Sequence, residues 1–467
     1  MRGKQLLKQV FALQETSRVP WVPFVGVHAA SLLGVTAEEY LKSTELIVKG
    51  VTKAIELYNP DGIPVVFDLQ LEAECLGCKL VWANENPPAV NSHPLMEGVL
   101  LETLKIPDVT EGRIAVVMEA TRQLRQNNPE LALYGLITGP FTLGLHLLGT
   151  EIFMKMFIDE QYVHRLMEFC TGVCNAMADY YKQAGCDVIA LVDPMTSQIG
   201  AEQFEQFVTK YCTEVFDHIK SLDMSSSFFV CGHAQHNIEV MCACKPDNIS
   251  IDENIPLEYV KDICLQHGIS FGGNLLLTVA LLMGSPEDCE RNAVDCMDIG
   301  GNKGFILSPG CDLAYATPKE NLLAITNLIT NEYRRDVVRA MEAKVMNVTP
   351  IDKMVYGSSA KVILDVVTLD AASCAPCQYM LEAVKHACES FGDKVEYFER
   401  SVKTPQGVEF MVAIGASNIP TLCIDGEITF VSNIPPVSEI KKAIQKRLTE
   451  KLFQNKVMSV EGLNVEL

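Results

Sequence analysis

Eight short runs rich in β-branched and other apolar residues precede residue 310, and helix-like segments separate most of them. The runs are Val22 to Val27, Ile63 to Phe67, Leu133 to Thr138, Val188 to Val192, Ser227 to Cys231, Ile249 to Ile251, Ile269 to Gly273 and Gly304 to Ser308. Helical patterning covers Ala37 to Tyr58, Ala201 to Ser221, Leu257 to His267 and Pro318 to Ala343. Parallel strands need a crossover connection, usually a helix, so this alternation predicts a parallel sheet. Eight repeats predict a closed (β/α)8 TIM barrel, with an open doubly wound sheet as the rival arrangement.

A helix from about Pro318 to Met346 closes the first domain, residues 1–347. Thr349-Pro350 and Tyr356-Gly357-Ser358-Ser359 then break the pattern, and 348–359 reads as a linker. The order restarts over 360–467: strand Val362 to Thr368, helix Ala375 to Ser390, strand Val395 to Glu399 and a further helix. Two short strands, Thr421 to Ile424 and Ile428 to Val431, and a final helix from Pro436 follow. A chain of 467 residues is too long for one core, so a barrel plus a smaller α/β domain is the expected organisation.

Lys and Arg number 38 against 59 Asp and Glu, a formal charge of −21. That balance argues against nucleic acid or an anionic membrane as the main partner. The start of the chain lacks the apolar core of a signal peptide, and no apolar stretch is long enough to span a bilayer. A cytoplasmic location is expected. The 17 cysteines are scattered rather than clustered, which suits a reducing compartment where most pack as small hydrophobes.

Cys374-Ala375-Pro376-Cys377 falls between a predicted strand and a predicted helix. A thiolate there is stabilised by backbone N–H groups and the helix dipole, and a second cysteine one turn on can resolve a mixed disulfide. Asn418-Ile419-Pro420-Thr421 precedes a later strand. With that loop the module resembles the thioredoxin and glutaredoxin superfamily, which implies a cis-Pro420 beside the CxxC and thiol exchange at Cys374 and Cys377.

Most of the barrel runs end in a polar or special residue: Asp68, Asp193, Cys231-Gly232-His233, Asp252-Glu253, Asn274 and Gly310-Cys311. In a barrel these ends share one face, where active sites sit. Cys231 and Cys311 should meet at that mouth. Two thiolates with a nitrogen or carboxylate ligand make a tetrahedral zinc site with one open position, able to keep an incoming thiol deprotonated. Glu72 and Glu74, two apart, share one side of an extended segment and are candidate proton-handling groups.

Phe67-Asp68-Leu69-Gln70-Leu71-Glu72-Ala73-Glu74-Cys75-Leu76-Gly77 resembles a segment of the uroporphyrinogen decarboxylase superfamily. So do Val192-Asp193-Pro194, Val230-Cys231-Gly232, Phe305 to Cys311 and Thr317-Pro318-Lys319-Glu320-Asn321. The likeness spans residues 1 to about 345 and is most specific for its corrinoid methyltransferase branch. It implies methyl transfer to or from a corrinoid, usually methylcobalamin carried on a partner corrinoid protein, with a small methyl donor or acceptor. It also implies zinc held by Cys231, Cys311 and a histidine two residues before the first cysteine. Phe229 stands at that position. His233 and Asp252 are the replacement ligands to consider. Gly139 and Asn274, on glycine-bearing strand ends, are candidates for making room for the corrin face, and Asp193 is a candidate catalytic carboxylate. A porphyrinogen decarboxylase is disfavoured because Pro20 to His28 lacks the arginines that clamp carboxylates. A non-catalytic barrel carrying a redox module is the remaining alternative.

Overall fold

The computed structural model describes residues 3–341, 356, 359, 361–369, 375–416, 419–431 and 434–461, apart from the side chains of 375, 405 and 452–461. The chain divides into two units, Met1–Glu342 and Ala343–Leu467.

In the first unit the strands are β1 (Gly62–Pro64), a small hairpin of β2 (Leu80–Val81) and β3 (Ala89–Val90), then β4 (Ala132–Thr138), β5 (Val188–Val192), β6 (Ser225–Val230), β7 (Asn248–Ile251), β8 (Ser270–Leu275) and β9 (Phe305–Pro309). Apart from the hairpin they form one seven-stranded sheet in the order β1-β4-β5-β6-β7-β8-β9. Every pairing in it is parallel. The predicted first strand, Val22 to Val27, does not form. Residues 20–22 cross the gap between β9 and β1 as irregular chain instead. Leu307 N–H donates to the Pro20 carbonyl, Val22 N–H to the Leu307 carbonyl, and Asp61 N–H to the Trp21 carbonyl. Pro20 and Pro23 flank Trp21 and Val22, and neither has an N–H for a ladder, which accounts for the lost strand. The sheet thus curls until both edges reach this segment.

Alternate residues of the strands point inward, as the two-residue period requires. Tyr134, Leu136, Val188, Ala190, Val192, Phe229 and Ile306 share an interior cluster with Phe24 and Phe67. The opposite faces are also buried, which explains runs without polar alternation. Asp61 anchors the closing segment. Its carboxylate accepts two hydrogen bonds from Arg18 at 2.7 and 2.8 Å, and one each from the N–H groups of Gly3 and Trp21 at 3.0 Å.

Three helix expectations need correction. The segment Ala37 to Tyr58 is two helices, Ala37–Leu41 and Thr44–Tyr58, because Ser43 caps the second through Leu46 N–H. The long closing helix breaks into Lys319–Thr330 and Glu332–Ala340, with the Asn331 side chain capping the latter through Arg334 N–H. Residues Leu71–Cys75 are helical rather than extended. Among the described residues no single helix is long and apolar enough to cross a membrane.

In the second unit β10 (Val362–Thr368), β11 (Val395–Ser401), β12 (Thr421–Ile424) and β13 (Glu427–Val431) form a sheet in the order β11-β10-β12-β13. The pair β10–β11 is parallel, and β12 runs antiparallel to both β10 and β13. Val362, Leu364, Val366, Leu422 and Ile424 form its core with Met380, Val384, Ile440 and Ile444. Those last four lie on the helices Ala375–Glu389 and Val437–Glu461. The Ile419–Pro420 bond is cis. Cys377 is buried and disulfide-bonded, whereas Cys374 lies outside the described residues.

Candidate active site at the barrel mouth

Cys231 follows β6 and Cys311 follows β9, two strands that are not neighbours in the sheet. Their sulfurs nevertheless lie 3.4 Å apart. Gly310 makes this possible: a Cβ there would collide with Glu253. Its N–H donates to the Leu275 carbonyl at 3.0 Å, which holds the turn against the β8 end. On the other side Gly232 N–H donates to the Asp252 carboxylate at 2.6 Å. The pair is therefore fixed by both flanking turns, and each cysteine residue is partly exposed.

Asp252 and Glu253 border the pair. Asp252 also accepts from the Asn254 N–H at 3.0 Å and side-chain amide at 2.6 Å. Glu253 accepts from Leu277 N–H at 3.2 Å. Burial pushes both carboxyls above the usual carboxylate range, and Asp252 raises Glu253 further. The hydrogen bond to Cys311, burial and these two carboxyls together raise the Cys231 thiol.

Phe229, at the position where a histidine was expected, is 1% exposed inside the barrel. Its ring meets Phe24 at 5.3 Å and Phe67 at 5.8 Å, both near edge-to-face. This aromatic trio occupies the space a liganding imidazole would need. His233 is half-buried, and burial lowers its basicity, with His236 contributing. Two thiolates each about 2.3 Å from one zinc lie roughly 3.7 Å apart, so the sulfur spacing alone suits zinc. The donor set does not. Asp252 is committed to Gly232 and Asn254, and among the described residues no three His, Cys, Asp or Glu side chains are grouped to hold a metal ion. The residues present do not fit a three-donor zinc site.

The other expected residues are placed apart from the thiols in role. Asp193 is fully buried and accepts from Phe141 N–H, Thr142 N–H and the Thr142 hydroxyl at 3.1, 2.8 and 2.6 Å. It satisfies the open N–H groups at the start of the helix Pro140–Leu148. Burial pushes its pKa up to about 6 against those bonds. A Cβ on Gly139 would collide with Asp193, so that glycine makes room for the carboxylate. Asn274 donates to the Asp252 and Ile255 carbonyls at 3.3 and 2.9 Å and ties β8 to the turn after β7.

Glu72 and Glu74 separate because their segment is helical. Glu72 is fully buried and accepts from the Thr138 hydroxyl at 2.8 Å, and burial raises its pKa to about 7. Glu74 pairs with Arg113 at 2.6 Å, and Arg113 also binds Asp68. The Arg113 guanidinium lies 4.9 Å from the Trp82 ring. Arg113, which joins both acids, carries no sequence signal, being 39 residues from Glu74 on a different helix. Glu253 was visible as the neighbour of Asp252. Burial raises the thiols of Cys75 and Cys78, and Cys78 donates to the His146 carbonyl at 3.3 Å.

The uroporphyrinogen decarboxylase (URO-D) family profile matches residues 2–332. Methylcobamide:CoM methyltransferase MtbA of Methanosarcina acetivorans is 30% identical over 275 residues, covering 58% of this chain and 80% of that protein. MtbA of Methanosarcina mazei is 27% identical over 335 residues, 70% of this chain and 97% of that protein. The solved structure of a methyltransferase from Methanosarcina mazei shares the fold, with a TM-score of 0.65, 23% identity, and coverage of 72% of this chain and 98% of that one. The chain belongs to the uroporphyrinogen decarboxylase family, and its barrel is similar to the methylcobamide:CoM methyltransferases.

Proposed function

We propose that the barrel is a corrinoid-dependent methyltransferase moving a methyl group between a protein-bound methylcobalamin and a small thiol. The observation that carries this is the juxtaposition of Cys231 and Cys311 where the strand ends converge, in a chain resembling proteins named for that reaction. When bound, the corrinoid supplies a methyl group on cobalt. Transfer to sulfur is a displacement that needs in-line placement and a deprotonated nucleophile. Asp252 and Glu253, which border the thiols and whose basicity burial raises toward neutrality, are the candidate acceptors of the thiol proton. Leu276, Val279 and Met283, beyond the end of β8, leave apolar surface that suits the flat face of a corrin ring. Asp193, Glu72 and Asn274 act as positioning residues that hold the surrounding turns. A zinc-assisted form of the reaction would need a third donor, which Phe229 does not supply. The decarboxylase alternative has less support, since Arg18, beside the segment Pro20 to His28, is engaged by Asp61.

For the second unit we infer a thioredoxin-like module exchanging disulfides through Cys374 and Cys377. Its mixed four-stranded sheet and the buried Cys377 in the first turn of a helix support this.

The test follows loss of the methyl-cobalt absorbance when free methylcobalamin and coenzyme M are mixed with the purified chain. Turnover is expected with the wild type and should be lost with Cys231→Ser and with Cys311→Ser. Equal turnover in both variants rejects the thiol site. For the second unit, a Cys377→Ser chain mixed with a small-molecule disulfide should retain one half of it as a mixed disulfide on Cys374, releasing the other half as a thiol. A Cys374→Ser chain that retains it equally well rejects the exchange role.

A further inference from the structure

The missing third donor leaves two thiols in contact at the mouth without a metal site around them. Among the described residues fifteen cysteines are free, and of these only Cys75, Cys231 and Cys311 are partly exposed. The thiols of Cys242 and Cys264 also touch, but both residues are buried. Cys231 and Cys311 thus combine contact with access.

We propose that Cys231 and Cys311 are a dithiol–disulfide couple that exchanges with disulfides of low-molecular-mass thiols. The sulfurs are 3.4 Å apart and a disulfide needs about 2.05 Å, so closure calls for a movement of roughly 1.4 Å. Rotation of the two side chains can supply that while the turns stay fixed by Gly232–Asp252 and Gly310–Leu275. In the first step one cysteine thiolate attacks the incoming disulfide and releases one thiolate, leaving a mixed disulfide. The second cysteine then attacks the mixed disulfide at the cysteine sulfur and releases the other small thiolate. The two cysteines are oxidised and the small disulfide is reduced to two thiols, which take up the two protons the cysteines lose.

With both sulfurs bonded to each other, neither is free as a nucleophile. The proposed methyl transfer stops until a thiol reverses the exchange. This consequence rests on the function proposed above, whereas disulfide formation does not.

The experiment uses the full chain with Cys374→Ser and Cys377→Ser, so that the second unit contributes no exchange. The protein is incubated with oxidised glutathione, alkylated, digested and analysed by mass spectrometry, with its zinc content measured beforehand. A peptide linked through Cys231 and Cys311, released by dithiothreitol, is expected. In an added Cys231→Ser variant Cys311 should carry glutathione instead. Glutathione on both cysteines without a link overturns the proposal. So does one zinc per chain with both thiols resisting oxidation. Loss of methyl transfer on oxidation, regained with dithiothreitol, is expected as well. A linked but fully active protein sustains the disulfide and removes the thiols from the transfer step.

Discussion

Phe229 shows how one side chain redirects a site. Its ring belongs to the packed interior, so putting a donor back at this position disturbs packing. Phe229→His adds a nitrogen two residues before Cys231 and should raise zinc content toward one per chain, read by metal analysis. It should also cost about 1–3 kcal/mol of stability in a denaturant titration, because two edge-to-face contacts are lost and a polar ring is buried. Unchanged zinc content would mean that the backbone at 229 aims the side chain away from the thiols. The pairing of Cys231 with Cys311 was legible because both follow predicted strands, and strand ends in a barrel converge. The fates of Glu72 and Glu74 were not. A five-residue segment gives too little periodicity to separate helix from strand, and the helix sends one carboxylate to Thr138 and the other to Arg113. The partnership with Arg113 is set by tertiary packing and leaves no local trace.

Seven of the eight predicted barrel strands form, with ends displaced by a few residues. Their burial on both faces produces unbroken apolar runs that are easy to find. The eighth failed because prolines on both sides withhold ladder hydrogen bonds, a feature readable in Pro20 and Pro23 but outweighed by the apolar run between and beyond them. The segment is held instead by Asp61. Asp61→Ala removes a buried acceptor of four hydrogen bonds and leaves Arg18 without its ion pair. It should lower stability by about 3–5 kcal/mol, seen as a shift of the urea midpoint. A shift within experimental error would mean that the closing segment is secured by packing alone. The helix breaks at Ser43 and Asn331 are capping events, and such residues also occur on helix surfaces without ending a helix.

Across the whole barrel, burial raises the pKa of several carboxyls, and this gives a definite pH response. Glu72 moves from 4.5 to about 7 and Asp193 from 3.8 to about 6. In each case the folded chain holds a proton that the unfolded chain releases. The corresponding stability is fully present below the unfolded value and is lost as pH rises through the folded one. Between pH 4.5 and 7 the Glu72 contribution should fall by on the order of 3 kcal/mol. Glu72→Gln removes that titration. The stability of wild type relative to the variant should therefore decline across this window, measured by calorimetry at stepped pH. A constant difference would show that Glu72 stays ionised inside the fold.

The irregular segment at residues 20–22 has a consequence for how the chain reaches and keeps its native state. Both borders of the parallel sheet are satisfied by one stretch near the N-terminus, and its partner Leu307 lies nearly three hundred residues away. Until this stretch has docked between them, β1 and β9 each present unpaired backbone to solvent. Such open borders recruit strands from other molecules, and distant contacts of this kind slow folding. Losing the first two dozen residues would reopen both borders at once and turn a self-contained ring into a template for aggregation.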